Sequence, residues 1–446
     1  MSAAVRALKG ALGSRFLRES TTLQAAALVN ASSNLVGSIV LMHVLGDHEL
    51  SIFYVAIAAY SLLWSLMNLG LATVATSKIA GAIRAGRPED LVGWMGAFLR
   101  LSLTLAALAF LIGLVVLPLG SALAFDVDGA RIGRLAVVLA LVPLLDVPRI
   151  LCSAALQGER RMLPLARIDT GQEVCRLVLV VSGALLVGGA EGPVGGMILA
   201  SICGSLLALD AYRRERRAPD SVLPGLVRAF RTRTVPAKHA LREGIQVGFV
   251  RNVDSLGVQT LPTLILGSLG NRDWVAYLRI AQRMIAVARL VMQGINRTAL
   301  PVLSQLAGVK DIAGLRRTYW KASLLSGATI IGGLAVMLPI MPWLIERLFP
   351  REFVDPVWTI ILILAPGLAI VSFSVANDVF YIVTQQMRVA ILLSLVGLVV
   401  NTAQVALFAW WLPTVGVAIG LTVTCLWSLV HIGYAWNWFR RHPDLA

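Results

Sequence analysis

Charge is scarce in this chain. Only 14% of its 446 residues are Asp, Glu, Lys or Arg, against 57% hydrophobic, and the mean hydropathy is +0.79. No soluble domain of this length has such a composition. Cysteine is almost as sparse. Cys152, Cys175, Cys203 and Cys425 all lie in apolar segments without paired or metal-ligand spacing, which excludes a disulfide framework or zinc site and leaves small packing residues. No Walker loop, zinc motif or catalytic triad occurs, so the chain consumes no nucleotide and no enzyme chemistry is expected. The basic N-terminus, Met1 to Ser20, lacks a small-residue cleavage site after an apolar core and reads as a retained cytoplasmic segment. Lysine is rare beside arginine, 5 to 34, and with the abundant alanine this suits a GC-rich bacterial genome.

What fills the chain is a series of apolar runs near 20 residues, the length that crosses about 30 Å of hydrocarbon. Twelve spans are expected, near 22–44, 52–74, 92–117, 135–157, 172–189, 193–212, 243–266, 275–302, 319–341, 357–383, 389–411 and 413–437. The net charge of +15 would suit nucleic acid, but its distribution excludes that partner. With the N-terminus inside, 26 of 39 Lys and Arg fall on the cytoplasmic side, five in the outer loops and eight within spans. This is the positive-inside pattern, and it puts both termini in the cytoplasm of a bacterial inner membrane. The eleven tryptophans gather mostly near span ends, as Trp94, Trp274, Trp343, Trp410 and Trp411 do, and fit an interfacial belt.

The chain repeats itself. Leu45-Gly46-Asp47-His48-Glu49 and the residues after it match Leu269-Gly270-Asn271-Arg272-Asp273 at an offset of 224, and Val194-Gly195-Gly196 matches Val415-Gly416-Val417 at 221. Spans 1–6 therefore correspond to spans 7–12 in one orientation. The expected fold is an all-α polytopic membrane protein with two parallel six-helix halves around a central cavity. The boundaries follow: 1–20 a cytoplasmic segment, 21–212 the first half, 213–242 a basic cytoplasmic linker, 243–438 the second half, 439–446 a cytoplasmic tail. A monomer is expected.

Parallel halves occur in several transporter classes. The major-facilitator pattern Gly-x-x-x-Asp-x-x-Gly-Arg is missing from the loop Lys78 to Asp90. Leu45-Gly46 followed by Phe53-Tyr54, Asn68-Leu69-Gly70-Leu71-Ala72, Asn252-Val253-Asp254, Leu269-Gly270 with Tyr277, Pro301, Asn401 and Pro413…Gly416-Val417-Ala418 together resemble the polysaccharide-transport branch of the multidrug/oligosaccharidyl-lipid/polysaccharide exporter superfamily, the lipid-linked oligosaccharide flippases. Asn68 stands where that family commonly has Asp. The resemblance implies a flippase that moves polyprenyl-diphosphate-linked oligosaccharide outward by alternating access, working beside glycan polymerases and assembly proteins.

Span 8 carries the chemistry. It holds Arg279, Arg283, Arg289 and Arg297 and no carboxylate, although each arginine costs about 2.5–3.5 kcal/mol at the bilayer centre. At 100° per residue Arg279 and Arg297 point the same way and Arg283 lies about 40° off. Guanidinium forks suit diphosphate oxygens. With Arg251 and Arg149 these residues are expected to form the substrate site, and Asn30 and Asn34, i and i+4 in span 1, either bind sugar hydroxyls or join helices. The bland reading of Asp146/Arg149, Glu173/Arg176 and Arg251/Asp254 is a self-neutralised i,i+3 pair. Asp254, Asp378 and Asp146 are the candidates for H⁺ or Na⁺ coupling; no other cofactor is expected. Two rival functions stand beside the flippase. A cation-coupled small-molecule or multidrug antiporter of the same superfamily would favour acidic and aromatic sites. A membrane-bound glycan transferase or polymerase would need a sizeable outer loop, and the outer loops here are short.

Overall fold

The computed structural model describes residues 3–67, 71–125, 128–159, 161–236, 238, 241–242, 244–245, 252–253, 256–269, 271–285, 303 and 311–442. Among these there is no strand. Nine stretches are long and apolar enough to cross a membrane: Ser32–Ser65, Pro88–Ala124, Gly129–Gly158, Met162–Val187, Glu191–Arg216, Ile312–Leu348, Arg351–Val383, Met387–Trp411 and Gly416–Arg441. Two shorter apolar helices, Val74–Ile83 and Leu256–Leu269, accompany them.

The first expected span and most of the second fall within one helical stretch, Ala3–Met67, interrupted at Gly46 (φ 72°, ψ −177°); the second span's last residues lie in the next helix, Leu71–Arg84. That left-handed backbone is open to glycine and strained for other residues. The seventh span is described at residues 244–245 and 252–253 and over its end, where a π-turn, Leu256–Thr260, leads into the helix Leu261–Leu269. Pro262, which has no N–H to donate, sits at that junction. The tenth span is broken. Its helix Arg351–Val371 passes through a 3₁₀ turn, Ser372–Ser374, before the short helix Asn377–Val383. Ser372 and Ser374 donate to the carbonyls of Ala369 (2.6 Å) and Val371 (2.7 Å) across the break.

The chain divides into two compact units: Met1–Val44 with Leu63–Asn252, and Leu45–Leu62 with Val253–Ala446. The stretch after the Gly46 kink thus packs with the second unit and then returns to the first. Glycines set a close helix pairing at equivalent places in each unit. In the first, a Cβ on Gly192 would meet the Gly183 carbonyl oxygen at 2.2 Å, and one on Gly196 would meet that of Leu179 at 2.4 Å. In the second, a Cβ on Gly416 would lie 1.9 Å from the Phe408 oxygen and one on Gly420 2.9 Å from Val405 Cα. Both are Gly-x-x-x-Gly contacts, in which the missing side chains let backbones touch. Gly192/Gly196 and Gly416/Gly420 are related by 224, the offset of the Leu45-Gly46 motif. The packing therefore gives both motifs one register, where sequence matching alone gave 221 for this segment. Beside the first pairing, Cys175 and Cys203 lie with sulfurs 3.1 Å apart as free thiols.

The core of the first unit gathers Ile79, Met95, Leu156 and Tyr212; that of the second is aromatic, with Phe380 ringed by Tyr319, Tyr381, Trp438 and Phe439 at 5.4–5.8 Å. Tyr319 donates to Asn377 Oδ1 at 2.5 Å within it. Trp343, Trp410 and Trp411 are exposed, as belt residues should be.

The basic linker is folded over much of its length. Beyond Arg216 the chain lies along the first unit as a strap. Tyr212 Oη donates to the Pro224 carbonyl at 2.7 Å. Arg100 donates to the carbonyls of Phe230 and Thr232 at 2.6 and 2.5 Å, satisfying the end of the short helix Leu226–Arg231. A Cβ on Gly96 would come within 2.1 Å of the Ala229 oxygen. Arg161 meets Asp220 at 2.8 Å and also faces Glu159 and Glu215. Its hydrogen bond holds the Asp220 carboxyl below the usual carboxylate range, and Asp220 in turn raises Arg161.

Candidate functional site

The arginine helix of the second unit, residues 274–285, is anchored at its start by the segment that follows Gly46. Ser51, fully buried, donates to the Asp273 carbonyl and accepts from the Ala276 N–H, both at 3.1 Å. Tyr277 Oη donates to Asp47 Oδ2 at 3.0 Å, and His48 Nδ1 lies 3.2 Å from Asp273 Oδ1. Trp274 and Phe353 meet the Tyr277 ring edge-on at 5.6 and 4.9 Å. The two copies of the repeated Leu-Gly motif are therefore bonded to one another within a single unit. This pairing aligns residues 51–54 along the first turns of the arginine helix.

Arg279 and Arg283 are i,i+4 and share a face of that helix. Arg283 stacks over the Tyr54 ring, its guanidinium carbon 5.1 Å from the centroid. Arg279 is close enough to both to interact electrostatically. Its guanidinium, the buried Nε included, has no hydrogen bond or ion pair with a described residue. Gln282 beside them donates to the Val258 carbonyl of the π-turn at 3.4 Å. Two like charges on one turn repel, and one of them has no described carboxylate against it. Such a surface suits an anion with several oxygens. Arg251, Arg289, Arg297 and Asp254 lie outside the described residues.

The first unit holds a second polar cluster. Arg149 pairs with Asp146 through two hydrogen bonds, 2.9 and 3.5 Å, and the two side chains are 20% and 13% exposed. Gly204 leaves room for the arginine stem: a Cβ there would lie 3.3 Å from Arg149 Cδ. Arg176 binds Glu173 on its own helix and donates to Asn34 Oδ1 at 2.6 Å. Asn34 also donates to the Asn30 carbonyl at 2.8 Å, while Asn30 Oδ1 is buried without a partner. Two of the three i,i+3 pairs expected from spacing thus form, Asp146/Arg149 and Glu173/Arg176; the third, Arg251/Asp254, lies outside the described residues, and Asn34 joins helices.

Sequence reasoning passed over Asp169. It accepts no hydrogen bond from a described residue and lies within electrostatic reach of Arg149 and Glu173. Its spacing to Gln172, Glu173 and Arg176, i+3, i+4 and i+7, was a signal that could have found it. Asp378 opens the short helix after the break in the tenth span. It is exposed, and it has no ion pair or hydrogen bond with a described residue.

A family model described as "Polysaccharide biosynthesis protein" matches residues 16–307. No curated protein matches the sequence significantly. Among solved structures, the inward-facing conformation of a multidrug resistance MATE family transporter of the MOP superfamily is similar, with 16% identity, 94% of this chain and 96% of that chain covered and a TM-score of 0.77. An outward-facing conformation of such a transporter follows at 17% identity, 96% coverage of each chain and TM-score 0.68. A MOP superfamily transporter from Pyrococcus furiosus, whose report states that reverse polarity of its binding pocket suggests a different function, shares 15% identity over 96% of this chain and 94% of its own at TM-score 0.69. The fold is therefore that of a MATE-like transporter with about twelve helices, and the chain is a multi-pass membrane protein.

Proposed function

This chain belongs to the polysaccharide biosynthesis protein family, and from that premise we propose that it is a flippase carrying polyprenyl-diphosphate-linked oligosaccharide from the inner to the outer leaflet of a bacterial cytoplasmic membrane. The observation that carries the reading is Arg279, which has no described counter-ion and shares a helix face with Arg283. A site for a cationic drug would set carboxylates and aromatic faces toward its ligand. The second unit instead offers two guanidinium groups, and the diphosphate of a glycan carrier supplies the matching charge. Arg297 and Arg251 would extend that surface. Arg149, in the first unit, already has its charge matched by Asp146. The polarity argument made for the Pyrococcus furiosus transporter supports reading function from pocket charge here too.

The anion travels outward by alternating access, a cycle that needs no hydrolysis. An inside-negative potential favours outward movement of negative charge by about 2.3 kcal/mol per charge per 100 mV, and it favours return of the emptied cationic site. Coupling to H⁺ or Na⁺ through Asp378, Asp254 or Asp146 would add to this drive. Asp378 suits that role better than Asp146, whose charge is already matched by Arg149. The chain is proposed to act as a monomer, with glycan polymerases and assembly proteins receiving its product.

The test is a strain lacking the chain, with lipid-linked glycan measured on each leaflet. Accumulation on the inner leaflet is expected. Glycan left unpolymerised on the outer leaflet would identify an enzyme instead. Single Gln substitutions of Arg279, Arg283 and Arg297, at matched protein level, should each lower surface glycan. Normal export in all three would refute the reading.

A further inference from the structure

Tyr54 is 1% exposed, and its buried hydroxyl has no hydrogen-bond partner among the described residues. A buried hydroxyl is normally paired, because leaving it unpaired forfeits its hydration. Packing alone does not call for it here. Phe53 beside it fills its own buried site with a plain ring, 5.6 Å away, and a phenyl ring would stack under the Arg283 guanidinium as well as a phenol does. The oxygen therefore adds a polar group where one is costly, next to Arg283 and within electrostatic reach of Arg279.

Arg279 Nε and Tyr54 Oη share a deficit. Each has a proton to donate and neither has an acceptor among the described residues. Two such donors beside a second guanidinium group, that of Arg283 over the Tyr54 ring, describe a receptor for an oxyanion of high charge.

Resting on the flippase reading, we propose that Tyr54 is a contact residue for the diphosphate of the lipid carrier: its hydroxyl donates to a phosphate oxygen held by Arg279 and Arg283, while its ring face orients the Arg283 guanidinium. The contact residue comes from the first copy of the repeat and the arginines from the second. The segment Leu45–Leu62 is what brings them into one unit.

The experiment compares full-length wild-type protein in nanodiscs with Tyr54→Phe, Tyr54→Leu and Arg279→Gln, using inorganic pyrophosphate and farnesyl diphosphate as probes in calorimetric titrations. Tyr54→Phe keeps the ring and removes only the hydroxyl. It should weaken both probes about tenfold, equivalent to ~1.4 kcal/mol, without lowering the melting temperature of the unliganded protein. Tyr54→Leu should weaken them further. A Tyr54→Phe protein that binds both probes like wild type, while Arg279→Gln loses them, overturns the role of Tyr54 and leaves the arginine site standing. Loss for pyrophosphate but not for farnesyl diphosphate overturns the assignment to a lipid headgroup. If Arg279→Gln also binds normally, or if wild type binds neither probe, the flippase site itself fails.

Discussion

Arg149 decides between two roles for a charge inside the membrane. Spacing allowed it to serve substrate or to serve Asp146, and the structure joins it to Asp146 by two hydrogen bonds. Opposite charges about 4 Å apart attract by about 4 kcal/mol at an effective dielectric of 20. Desolvation returns part of that, and the remaining exposure of the two side chains, 20% and 13%, weakens it further. A net coupling of roughly 1–3 kcal/mol is expected, below the ~3–5 kcal/mol lost when a fully buried pair is broken. Arg149→Gln should therefore lower the melting temperature by about 2–12 °C, at ~2–4 °C per kcal/mol for units of about 150–250 residues. Asp146→Asn should do the same. The double substitution should recover at least half of the loss, because no unpaired charge remains, and should export glycan near the wild-type level. The assay is thermal unfolding of the four proteins in nanodiscs alongside surface glycan at matched expression. An Arg149→Gln protein as stable as wild type but dead in export would refute the reasoning and return Arg149 to the substrate site.

Other outcomes follow from the packing. Gly96→Ala places a methyl group 2.1 Å from the Ala229 oxygen; it should displace the strap at a cost of roughly 1–3 kcal/mol and open Arg228 and Arg231 to trypsin. Tyr319→Phe strands Asn377 Oδ1 in the aromatic core and should destabilise the protein by about 1–3 kcal/mol, read as a fall in melting temperature. The Asp220 carboxyl is held below its usual range by Arg161, so its contribution is fully present above the unfolded value of about 3.9 and is lost as pH falls through the lower folded value. The hydrogen-exchange protection factors of residues 217–224, corrected for the intrinsic pH dependence of exchange, should be unchanged between pH 7 and 5 and should fall only in stronger acid; Asp220→Asn should give the acid protection factors at pH 7. Gly416→Ala should break the pairing with Phe408 and reduce the folded yield, as should Gly192→Ala at the equivalent place.

Helix placement was legible in the sequence because hydrocarbon length imposes a plain rule. Most expected spans recur within a few residues, and the arginine face of the eighth was visible from its spacing alone. The i,i+3 pairs at Asp146/Arg149 and Glu173/Arg176 were also legible, since both partners lie on one helix and the period fixes their meeting. The break in the tenth span was less so. It depends on Phe373 filling the space left by Gly327, where a Cβ would lie 2.2 Å from the ring. Nothing in the sequence marks residues 46 apart as neighbours. The fold of the linker was hidden for the same reason. A basic stretch with three prolines reads as loose chain until Arg100, more than 100 residues earlier, is seen to hold its carbonyls.

By itself, then, the sequence determined the membrane class, the repeat, the cationic face and the local ion pairs, because hydropathy, helical period and charge are properties of neighbours along the chain. Only the tertiary structure decided which arginine lacks a described partner, and that Tyr54 stands beside Arg283. That placement depends on a kink at Gly46 and on bonds between Asp47, Ser51, Asp273 and Tyr277. Those residues lie more than 220 positions apart, and only long-range packing brings them together.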